Sequence, residues 1–520
     1  MPRTTTVAPD TGASLSPIIR DPDATQSTEH DLLIIGGGIH GAALLLESAR
    51  RGIKALLIEQ DDFGGATSWN SLRILHGGFR YLQSMDLPRF IESVRERRWF
   101  MRTFPGLVEP LPCMMPLYGE GLKRPSAFRA ALMMNKGLGR LFEGRRPDEQ
   151  RLASGDVLRP EDVRKAWPGV PTDGLTGGGV WYDARMTSPE RLLILMLRCA
   201  CSMGVSALNY VRAEELLTES GRVVGIEARD QKSGATFTLR ARSVINAAGP
   251  WCRSLAAHFD EDRPALFRPV LAFNVLLDRE PLSRYSLAVA PRRTGARTYF
   301  LTPMGDRIAA GTFQVSVDGD VTTPEPTAEM VVRFLDELNE AAPGLEAEPE
   351  HVRCVWSGLV PADRPGSDDS TGRSIVINHG RHGGPKGLFS ISGVKYTTAR
   401  HLASKVLDGM ALSNGPRTDF GPIVDPFATG HPFSGGVDPS PQGSDDLARI
   451  VEQESVVHAD DLIMRRGTFW MDRESVLGGM PAIGRAMGLN ERELIEEQQR
   501  LMEAFGRLRG PLGPVGTGVG

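Results

Sequence analysis

The sequence has few cysteines, and they form no pattern that would hold a metal or build a disulfide framework. The five are Cys113, Cys199, Cys201, Cys252 and Cys354, with no CxxC pair among them. None of the ten histidines belongs to an HExxH motif. We therefore expect no metal site and no structural disulfides, and we expect a reducing compartment, the cytoplasm.

Long apolar runs and an excess of charge are also missing. No uninterrupted apolar run reaches the ~18 residues that a membrane-spanning helix needs. The 60 basic and 64 acidic residues give a net charge of −4, which argues against a protein that binds nucleic acid through phosphate contacts. Residues 1–29 have no apolar core and are rich in Thr, Pro, Ser and Asp. This composition predicts a disordered lead-in and not a signal peptide.

What the chain does have is the composition of a large globular protein. It contains 520 residues, of which 41% are hydrophobic and 24% charged, so several domains are expected. The 58 glycines cluster in short motifs without a repeating period. Glycine-rich turns that approach phosphate groups are therefore the first features to examine.

The first glycine motif is IIGGGIHGA, in which Gly36, Gly38 and Gly41 fill the pattern G-x-G-x-x-G. It follows an apolar run typical of a buried strand, opens a predicted helix over 39–51, and precedes a second strand that ends at Glu59. Such a turn brings a pyrophosphate against the amide groups of a helix N-terminus, and the acidic residue accepts hydrogen bonds from a ribose. The motif alone does not distinguish NAD from FAD.

Two later segments favour FAD. INAAGPW (245–251) is a predicted strand that leads into a small-residue turn, and ISGVKYTTAR (391–400) is a predicted strand, glycine turn and helix start. Three nucleotide-contacting segments this far apart indicate a large, enclosed cofactor and a discontinuous domain. NAD can be held by one continuous βαβαβ region.

Helices and antiparallel strands are predicted between these motifs. A helix is expected over about 86–103, with Asp86 as its N-cap. Another begins at Thr187, where Thr187 and Glu190 form a capping-box pattern. Alternating apolar and polar positions over 205–248 predict a β-meander.

Together with ATSWNSLRILHGGFRYL (66–82), these motifs resemble the membrane-associated, FAD-dependent glycerol-3-phosphate dehydrogenases, within the wider group of D-amino-acid and sarcosine oxidases. WYDAR (181–185) and HADDLIMRR (458–466) are also similar to that family. The resemblance covers most of 30–410 and, more weakly, 446–480. It implies a mixed α/β fold: a glutathione-reductase-like FAD-binding Rossmann domain, a β-rich substrate domain and a small helical C-terminal unit.

The resemblance also implies domain boundaries. The discontinuous FAD-binding domain would comprise 30–110, 181–265 and 355–413, and the substrate domain 111–180 and 266–354. A linker over 414–445, rich in Gly, Pro, Ser and Asp, would lead to a helical C-terminal domain over 446–508 and a tail over 509–520.

Residue roles follow from the same resemblance. Cofactor-binding positions, beyond the glycines and Glu59, would be Ser68, Ser71, His76, Gly77, Gly78, Ala248, Gly249, Lys395 and Thr397. The serines would contact the pyrophosphate, and 76–78 would lie beside the flavin ring, where missing side chains let backbone amides approach. Arg80, Tyr81 and Arg373 would bind substrate, and Arg80, Lys395 and His76 would be catalytic. His76 and Lys395 are the two candidates for the base.

Two positions depart from the family pattern. The segment WSGLVPA (356–362) has Val360 where the family's YSGVRPL has an arginine expected to bind phosphate, and RPVLAFNVLL (268–277) lacks a histidine that the family tends to carry. Loss of a bidentate guanidinium weakens the binding of a phosphate group. Arg353, Arg364 and Arg373 are the arginines that could take its place.

Residues 122–142 contain five basic side chains and no acidic one. Phe128, Leu132 and Leu138 would share one face of a helix, with Arg129, Lys136 and Arg140 on another. One interpretation is a helix that lies peripherally on the inner face of an anionic membrane and reaches a quinone. The other is an ordinary amphipathic helix that packs on the substrate domain.

These observations predict a flavoenzyme with non-covalent FAD that oxidises a secondary alcohol bearing an anionic group. Hydride would pass to flavin N5, and the electrons would leave to a quinone or another acceptor. Two alternatives stay open. One is an amine or 2-hydroxy-acid oxidase of the same fold, which would not need an arginine at Val360. The other is a flavin-binding redox partner without turnover.

Overall fold

The fold is described from a computed structural model. The described residues are 15–79, 81, 85–119, 121, 124–143, 152–260, 262–263, 265–317, 324–410, 412, 417–427 and 441–513.

The strands share a high content of apolar and β-branched residues and are numbered in chain order. They are β1 Leu32–Ile35, β2 Ala55–Ile58, β3 Ile74–Leu75, β4 Val108–Leu117, β5 Asp156–Leu158, β6 Gly177–Met186, β7 Ser206–Leu208, β8 Val211–Glu219, β9 Arg222–Asp230, β10 Thr236–Arg240, β11 Val244–Asn246, β12 Pro269–Leu277, β13 Ser286–Val289, β14 Tyr299–Met304, β15 Arg307–Ser316, β16 Val352–Pro361, β17 Ile375–Asn378 and β18 Leu388–Ser392.

The α-helices are numbered in the same way. They are α1 Pro22–Gln26, α2 Ile39–Ala49, α3 Leu87–Thr103, α4 Pro125–Glu143, α5 Pro160–Ala166, α6 Pro189–Cys201, α7 Cys252–Phe259, α8 Ala328–Ala341, α9 Ala399–Met410, α10 Pro441–Gln453, α11 Ala459–Arg465, α12 Arg473–Gly478, α13 Met480–Met487 and α14 Glu491–Arg507.

A six-stranded sheet carries the first glycine motif, in the order β17-β18-β11-β1-β2-β7. Every side chain of β1 and β2 is buried, because helices cover one face of the sheet and a second sheet covers the other. Ile34 and Leu57 pack with α2, α6 and α9. Leu33 and Leu56, which alternate with them, pack against the antiparallel meander β8–β10. The predicted meander and the predicted parallel core are both confirmed.

The larger sheet has nine strands, in the order β16-β12-β15-β14-β13-β4-β6-β3, with β5 paired to β6. Helix α8 packs on it, with the Phe334 ring 5.5 Å from Phe273 and 5.4 Å from Phe313. Strands β6 and β16 pair with β4 and β12 along nearly their whole length. The predicted domain boundaries at 181 and 355 therefore fall inside two strands of this sheet.

Helices α10–α14 form the C-terminal unit, which begins at Pro441 and so takes in the end of the predicted linker. Its apolar side chains, such as Leu462 and Trp470, share one buried cluster with Cys354 and Trp356 of β16. The C-terminal unit therefore packs directly on the larger sheet.

The prediction of a disordered lead-in is wrong for residues 15–29. Ile18 is buried and its amide donates to the Gln453 carbonyl at 2.8 Å, and the Arg20 guanidinium lies 2.5 Å from the Asp230 carboxylate. Residues 1–14 lie outside the described ranges. Because the segment is mostly polar, its composition does not show that the buried Ile18 anchors it.

The predicted capping box at the start of α6 is also wrong. Ser188 is the N-cap, and its hydroxyl accepts from the Arg191 amide at 3.2 Å. The Thr187 hydroxyl instead donates to the carbonyls of Gly106 and Leu107, just before β4, and Glu190 pairs with Arg73 at 3.3 Å. The N-cap of α3 is Asp86, as predicted.

Helix α4 settles which face of residues 122–142 is buried. Phe128 and Leu132 are buried against the larger sheet, with the Phe128 ring 5.0 Å from Phe79. Arg129 and Lys136 are exposed, as is Met133 at 69%. Phe128 and Leu132 of the apolar face are thus packed inside the protein, as the second interpretation predicts, while the side chain of Arg140 lies outside the described part. Within the described ranges, no helix is long and apolar enough to span a bilayer.

Candidate functional site

The first glycine motif forms a tight turn between β1 and α2. Gly36 has φ +112, a conformation that side chains rarely adopt. A Cβ atom on Gly41 would lie 1.8 Å from the Gly36 carbonyl oxygen, so only glycine lets the helix approach the strand this closely. Gly36 therefore permits the tight turn, and Gly41 permits the close packing of α2 on β1.

The three predicted nucleotide-contacting segments meet at one edge of the six-stranded sheet. β1 pairs in parallel with β11, and β11 with β18, so their carboxyl ends lie side by side. A Cβ on Gly36 would lie 2.6 Å from the Ala247 carbonyl oxygen, and one on Gly393 would lie 2.1 Å from His40 Nε2. Burial lowers the pKa of His40 to about 4, so its ring is neutral at this edge. Crevices of this kind are where open α/β sheets bind their ligands.

Ser68 lies at the N-terminus of α2. Its hydroxyl accepts a hydrogen bond from the Ile39 amide at 2.9 Å, and a Cβ on Gly38 would lie 3.1 Å from the same oxygen. An oxygen therefore occupies the position where the helix dipole and free amide favour an anion. Ser71 is placed differently, because its hydroxyl accepts from the Arg73 amide at 3.4 Å within its own turn.

Glu59 ends β2 and faces the glycine turn. Its carboxylate accepts from the Gly37 amide at 2.6 Å and from the Asp61 amide at 3.0 Å. Burial nevertheless raises the pKa of Glu59 to about 7, against the effect of these two bonds. Among the residues that the structure describes, no cation pairs with Glu59, so its carboxylate is suited to additional neutral donors such as ribose hydroxyls.

The HGG segment is organised by Asp183, a residue that the sequence did not single out. The buried Asp183 carboxylate accepts from the Gly77 amide at 2.7 Å and lies 3.1 Å from His76 Nδ1. Arg97 lies 3.4 Å from it, and these positive and donor groups hold the pKa of Asp183 below its usual value. The signal in the sequence was an aspartate inside the strand WYDAR, since a buried strand rarely carries a charge without a partner.

The two glycines of this segment have a packing role that the sequence did not predict. A Cβ on Gly77 would lie 1.8 Å from the Arg97 guanidinium, and one on Gly78 would lie 2.9 Å from Ser93. Both glycines are thus required for packing against α3. The Gly77 amide is already bonded to Asp183, so it is not a free donor for a flavin ring.

The GVKYTT segment brings Lys395 onto Tyr81. The Lys395 ammonium donates to the Tyr81 hydroxyl and lies 4.3 Å from the centre of its ring. Thr397 is buried. At the NAAGPW segment, the Ala248 amide donates to Asn246 Oδ1 at 3.2 Å, and Gly249 has φ +55 beside open space. Arg80 lies outside the described residues.

A cavity of about 790 Å³ opens beside Lys395 and is lined by positive side chains. Arg373 lines it as predicted, and Arg89 lines it without having been predicted. The Arg89 guanidinium lies 5.7 Å from the Tyr81 ring centre, and a Cβ on Gly372 would lie 2.6 Å from it. Asp86, the N-cap of α3, pairs with Arg89 at 3.2 Å and belongs to the same wall.

Val360 lies near this cavity but offers it no charge. It is buried in a small apolar cluster with Val270 and Ala362, against which Val394 packs. Of the arginines considered as replacements, Arg353 instead donates to the Met471 carbonyl at 2.6 Å, beside the C-terminal unit.

The fold and this site define a dinucleotide-binding oxidoreductase, and comparison with known proteins gives the family. Residues 31–396 match the family model described as FAD dependent oxidoreductase. The chain belongs to this family, and FAD is its cofactor. The glycine turn, the position of Ser68 and the buried Glu59 carboxylate beside the turn fit the pyrophosphate and ribose of that group.

Similar proteins act on glycerol phosphate according to their names. An alpha-glycerophosphate oxidase of Streptococcus pyogenes is 32% identical over 359 residues, which are 68% of this chain and 58% of that one, so the match spans less than two thirds of this relative. An aerobic glycerol-3-phosphate dehydrogenase of Staphylococcus epidermidis is 28% identical over 85% of this chain and 77% of its own.

The fold is similar to that of a glycerol-3-phosphate dehydrogenase from Bacillus halodurans, solved in complex with FAD. Its TM-score is 0.67 at 21% identity, over 95% of this chain and 97% of that one. This likeness confirms the predicted architecture of FAD-binding domain, β-rich domain and C-terminal helices.

Proposed function

We propose that the protein oxidises glycerol 3-phosphate, or a similar secondary alcohol with an anionic group, to the corresponding ketone. FAD, when bound, supplies the ring that accepts the hydride. The hydroxyl proton passes to a side chain of the protein. The relatives named as glycerophosphate oxidase and glycerol-3-phosphate dehydrogenase support this choice of substrate.

The observation that carries the proposal is the positive cavity beside the third cofactor segment. Arg89, Arg373 and Lys395 line it, and a phosphate group is bound well by guanidinium groups and a nearby ammonium. Arg80 and Tyr81 complete the proposed substrate-binding set. In this arrangement Arg89 and Arg373 replace the guanidinium that Val360 does not provide.

His76 is the proposed base. Its Nδ1 faces the Asp183 carboxylate at 3.1 Å, which fixes the tautomer with the proton on Nδ1 and leaves Nε2 as the acceptor. Its side chain is 49% exposed, so a substrate hydroxyl can reach it. Lys395 then acts as a fixed positive charge beside the ring and the substrate.

The residues proposed to bind FAD are those predicted from the sequence, and they fall into three groups by position. Gly36, Gly38, Gly41, Glu59 and Ser68 form the dinucleotide turn. Ser71, Ala248, Gly249 and Thr397 lie on the segments around it, and His76, Gly77, Gly78 and Lys395 lie on the ring side. We expect FAD to be held without a covalent bond, in which case acid precipitation releases all yellow colour from the protein.

A second function is favoured by the apolar surroundings of Val360. A 2-hydroxy-acid or amine oxidase needs only one carboxylate-binding arginine, which Arg373 would supply. The two functions are separated by anaerobic addition of glycerol 3-phosphate, 2-hydroxy acids and secondary amines to the yellow holoenzyme. We expect glycerol 3-phosphate to bleach the flavin spectrum. Bleaching by another class alone would favour the second function, and no bleaching by any would favour a redox partner without turnover.

The electron acceptor is proposed to be a quinone or another small oxidant, since the similar proteins include both oxidases and dehydrogenases. Oxygen consumption with glycerol 3-phosphate, compared with quinone reduction, distinguishes these. A peripheral membrane contact would have to use the exposed Arg129, Met133 and Lys136 of α4, because the opposite face is buried. A cytoplasmic location agrees with the five cysteines, all of which are free.

A further inference from the structure

The segment between β2 and β3 carries Ser68 to the N-terminus of α2, and it has no regular secondary structure of its own. We name residues 60–73 the Ser68 loop. A loop of this length gains little order from its own bonds, so the position of the Ser68 hydroxyl depends on what holds the loop. Two of its side chains, Asp62 and Trp69, are bonded to the C-terminal unit.

Asp62 is the first anchor. Its buried carboxylate accepts from Arg465 Nε at 2.6 Å and from the two terminal nitrogens of Arg466 at 2.7 and 2.8 Å. Asn209 adds a fourth donor at 2.9 Å. The two guanidinium groups hold the pKa of Asp62 well below its usual range, despite the opposing effect of burial. The carboxylate is therefore ionised and fully bonded.

Trp69 is the second anchor and is the direct neighbour of Ser68. Its indole Nε1–H donates to the Met464 carbonyl at 2.9 Å, and its ring packs edge-on against Trp470 with 5.6 Å between centres. Both partners belong to the C-terminal unit. Within the loop, the Trp69 amide donates to the carbonyls of Gly64 and Ala66 at 3.1 and 3.2 Å. The contacts of the Trp69 side chain thus hold the neighbouring Ser68 at a fixed position relative to the C-terminal unit.

We propose that the C-terminal unit sets the affinity for FAD, and that Asp62 and Trp69 are positioning residues that act through Ser68. The anchors order the loop before the cofactor arrives, so less conformational freedom is lost on binding. The coupling is reciprocal by thermodynamic necessity: if docking of the C-terminal unit favours FAD, then FAD must favour that docking. This inference uses only the cofactor of the family and does not depend on the substrate.

The test is the rate at which purified holoenzyme releases FAD after dilution, followed by the fluorescence of the freed flavin. Trp69→Phe keeps an aromatic ring and removes the donor to Met464. We expect release about tenfold faster than in the wild type, as for the loss of one positioning hydrogen bond. Asp62→Asn, which disturbs the other anchor, should act in the same direction.

The matched control is Tyr299→Phe. Tyr299 lies in β14 of the larger sheet, and the change removes the single hydroxyl that donates to Glu337 of α8. It should lower the melting temperature of the protein and leave the FAD release rate unchanged. If Trp69→Phe lowers the melting temperature in the same way and releases FAD at the wild-type rate, the proposal is overturned. Since Asp62→Asn risks a failure to fold, the decision rests on Trp69→Phe.

Reciprocity gives a second readout on the unaltered protein. Amide hydrogen exchange in residues 459–471 should slow when FAD is added to protein stripped of flavin, although none of these residues is proposed to touch FAD. Exchange in α8, which packs on the larger sheet, serves as the internal comparison. Equal protection of both regions, or no change in either, contradicts a coupling that runs through the C-terminal unit.

Discussion

At the scale of single residues, the buried Asp183 organises the HGG segment, although the sequence analysis gave it no role. The Asp183 carboxylate contacts Nδ1 of the His76 ring, accepts a hydrogen bond from the Gly77 amide and lies beside Arg97. These groups hold the pKa of Asp183 below its usual value, so the ionised carboxylate can orient the His76 ring for its proposed role as the base. The proposed base and the carboxylate that orients it come from two segments of the predicted FAD-binding domain that are 107 residues apart in sequence.

Asp183→Asn should therefore lower kcat with glycerol 3-phosphate by at least about 100-fold, the lower range for loss of general base catalysis. An amide can donate to His76 Nδ1 and so favour the wrong tautomer. KM and FAD content should change little. Glu109→Gln is the control, since Glu109 pairs with Arg185 at 3.1 Å in the same sheet without contacting His76. A wild-type kcat in Asp183→Asn would exclude His76 as the base.

Arg89→Gln and Arg373→Gln should each raise KM for glycerol 3-phosphate by about tenfold or more, since a hydrogen bond to a charged group contributes roughly 1.5–3 kcal/mol. The kcat at saturating substrate should change less. Arg364→Gln is the control, because Arg364 is exposed and does not line the cavity. Equal KM values for all three variants and the wild type would place the phosphate elsewhere.

Glu59 makes FAD binding depend on pH. Its pKa in the free protein is raised to about 7 by burial. Ribose hydroxyls donate to the ionised carboxylate, so bound FAD lowers that pKa, and binding then releases a proton. The dissociation constant of FAD should rise as the pH falls below about 7, by at most about tenfold per unit. In Glu59→Gln it should be independent of pH over this window, and a flat profile in the wild type would contradict the assignment.

At the scale of helices and strands, the pattern of apolar residues predicted an element correctly where neighbouring elements cover both of its faces. LLII and ALLI predicted buried parallel strands, and both are. The N-cap of α6 could not be chosen from sequence, because Thr187, Ser188 and Glu190 all suit a helix start and only the distant Arg73 determines where Glu190 goes. Local patterns do not report such long-range ion pairs.

Helix α4 shows the same limit and gives a stability prediction. Its apolar face could have met a membrane or the protein, and Phe128 meets Phe79, Trp181 and the glycine face of β6. Phe128→Ala should cost about 3–5 kcal/mol of unfolding free energy in urea. Met133→Ala, on the exposed side, should lie within about 0.5 kcal/mol of the wild type. Unchanged stability in Phe128→Ala, with loss of binding to anionic vesicles, would instead support the membrane interpretation.

At the scale of the whole molecule, the family resemblance predicted the architecture and the cofactor, but not how the parts are joined. Boundaries at 181 and 355 followed motifs, whereas β6 and β16 belong to the larger sheet by their hydrogen bonds. The C-terminal unit was expected as a separate helical domain. It is joined to the rest by buried ion pairs between residues far apart in sequence, which no local pattern reveals.

One of these junctions involves Glu454, which is fully buried and directly follows α10. Its carboxylate lies 2.5 Å from Arg191 and 3.1 Å from Arg198, both on α6. Arg191 also pairs with Asp425 at 2.7 Å. A buried charge that loses its partner keeps the cost of leaving water, which exceeds the net contribution of the intact pair.

Arg191→Met should therefore destabilise the protein by about 3–5 kcal/mol, because Asp425 loses its pair with Arg191 and Glu454 keeps Arg198 at 3.1 Å and only the more distant Arg466 at 3.9 Å besides. Arg492→Met is the matched control, since Arg492 forms an exposed pair with Glu496 at 2.8 Å and should leave the urea midpoint unchanged. An unchanged urea midpoint in Arg191→Met would show that these buried ion pairs do not join the C-terminal unit to α6.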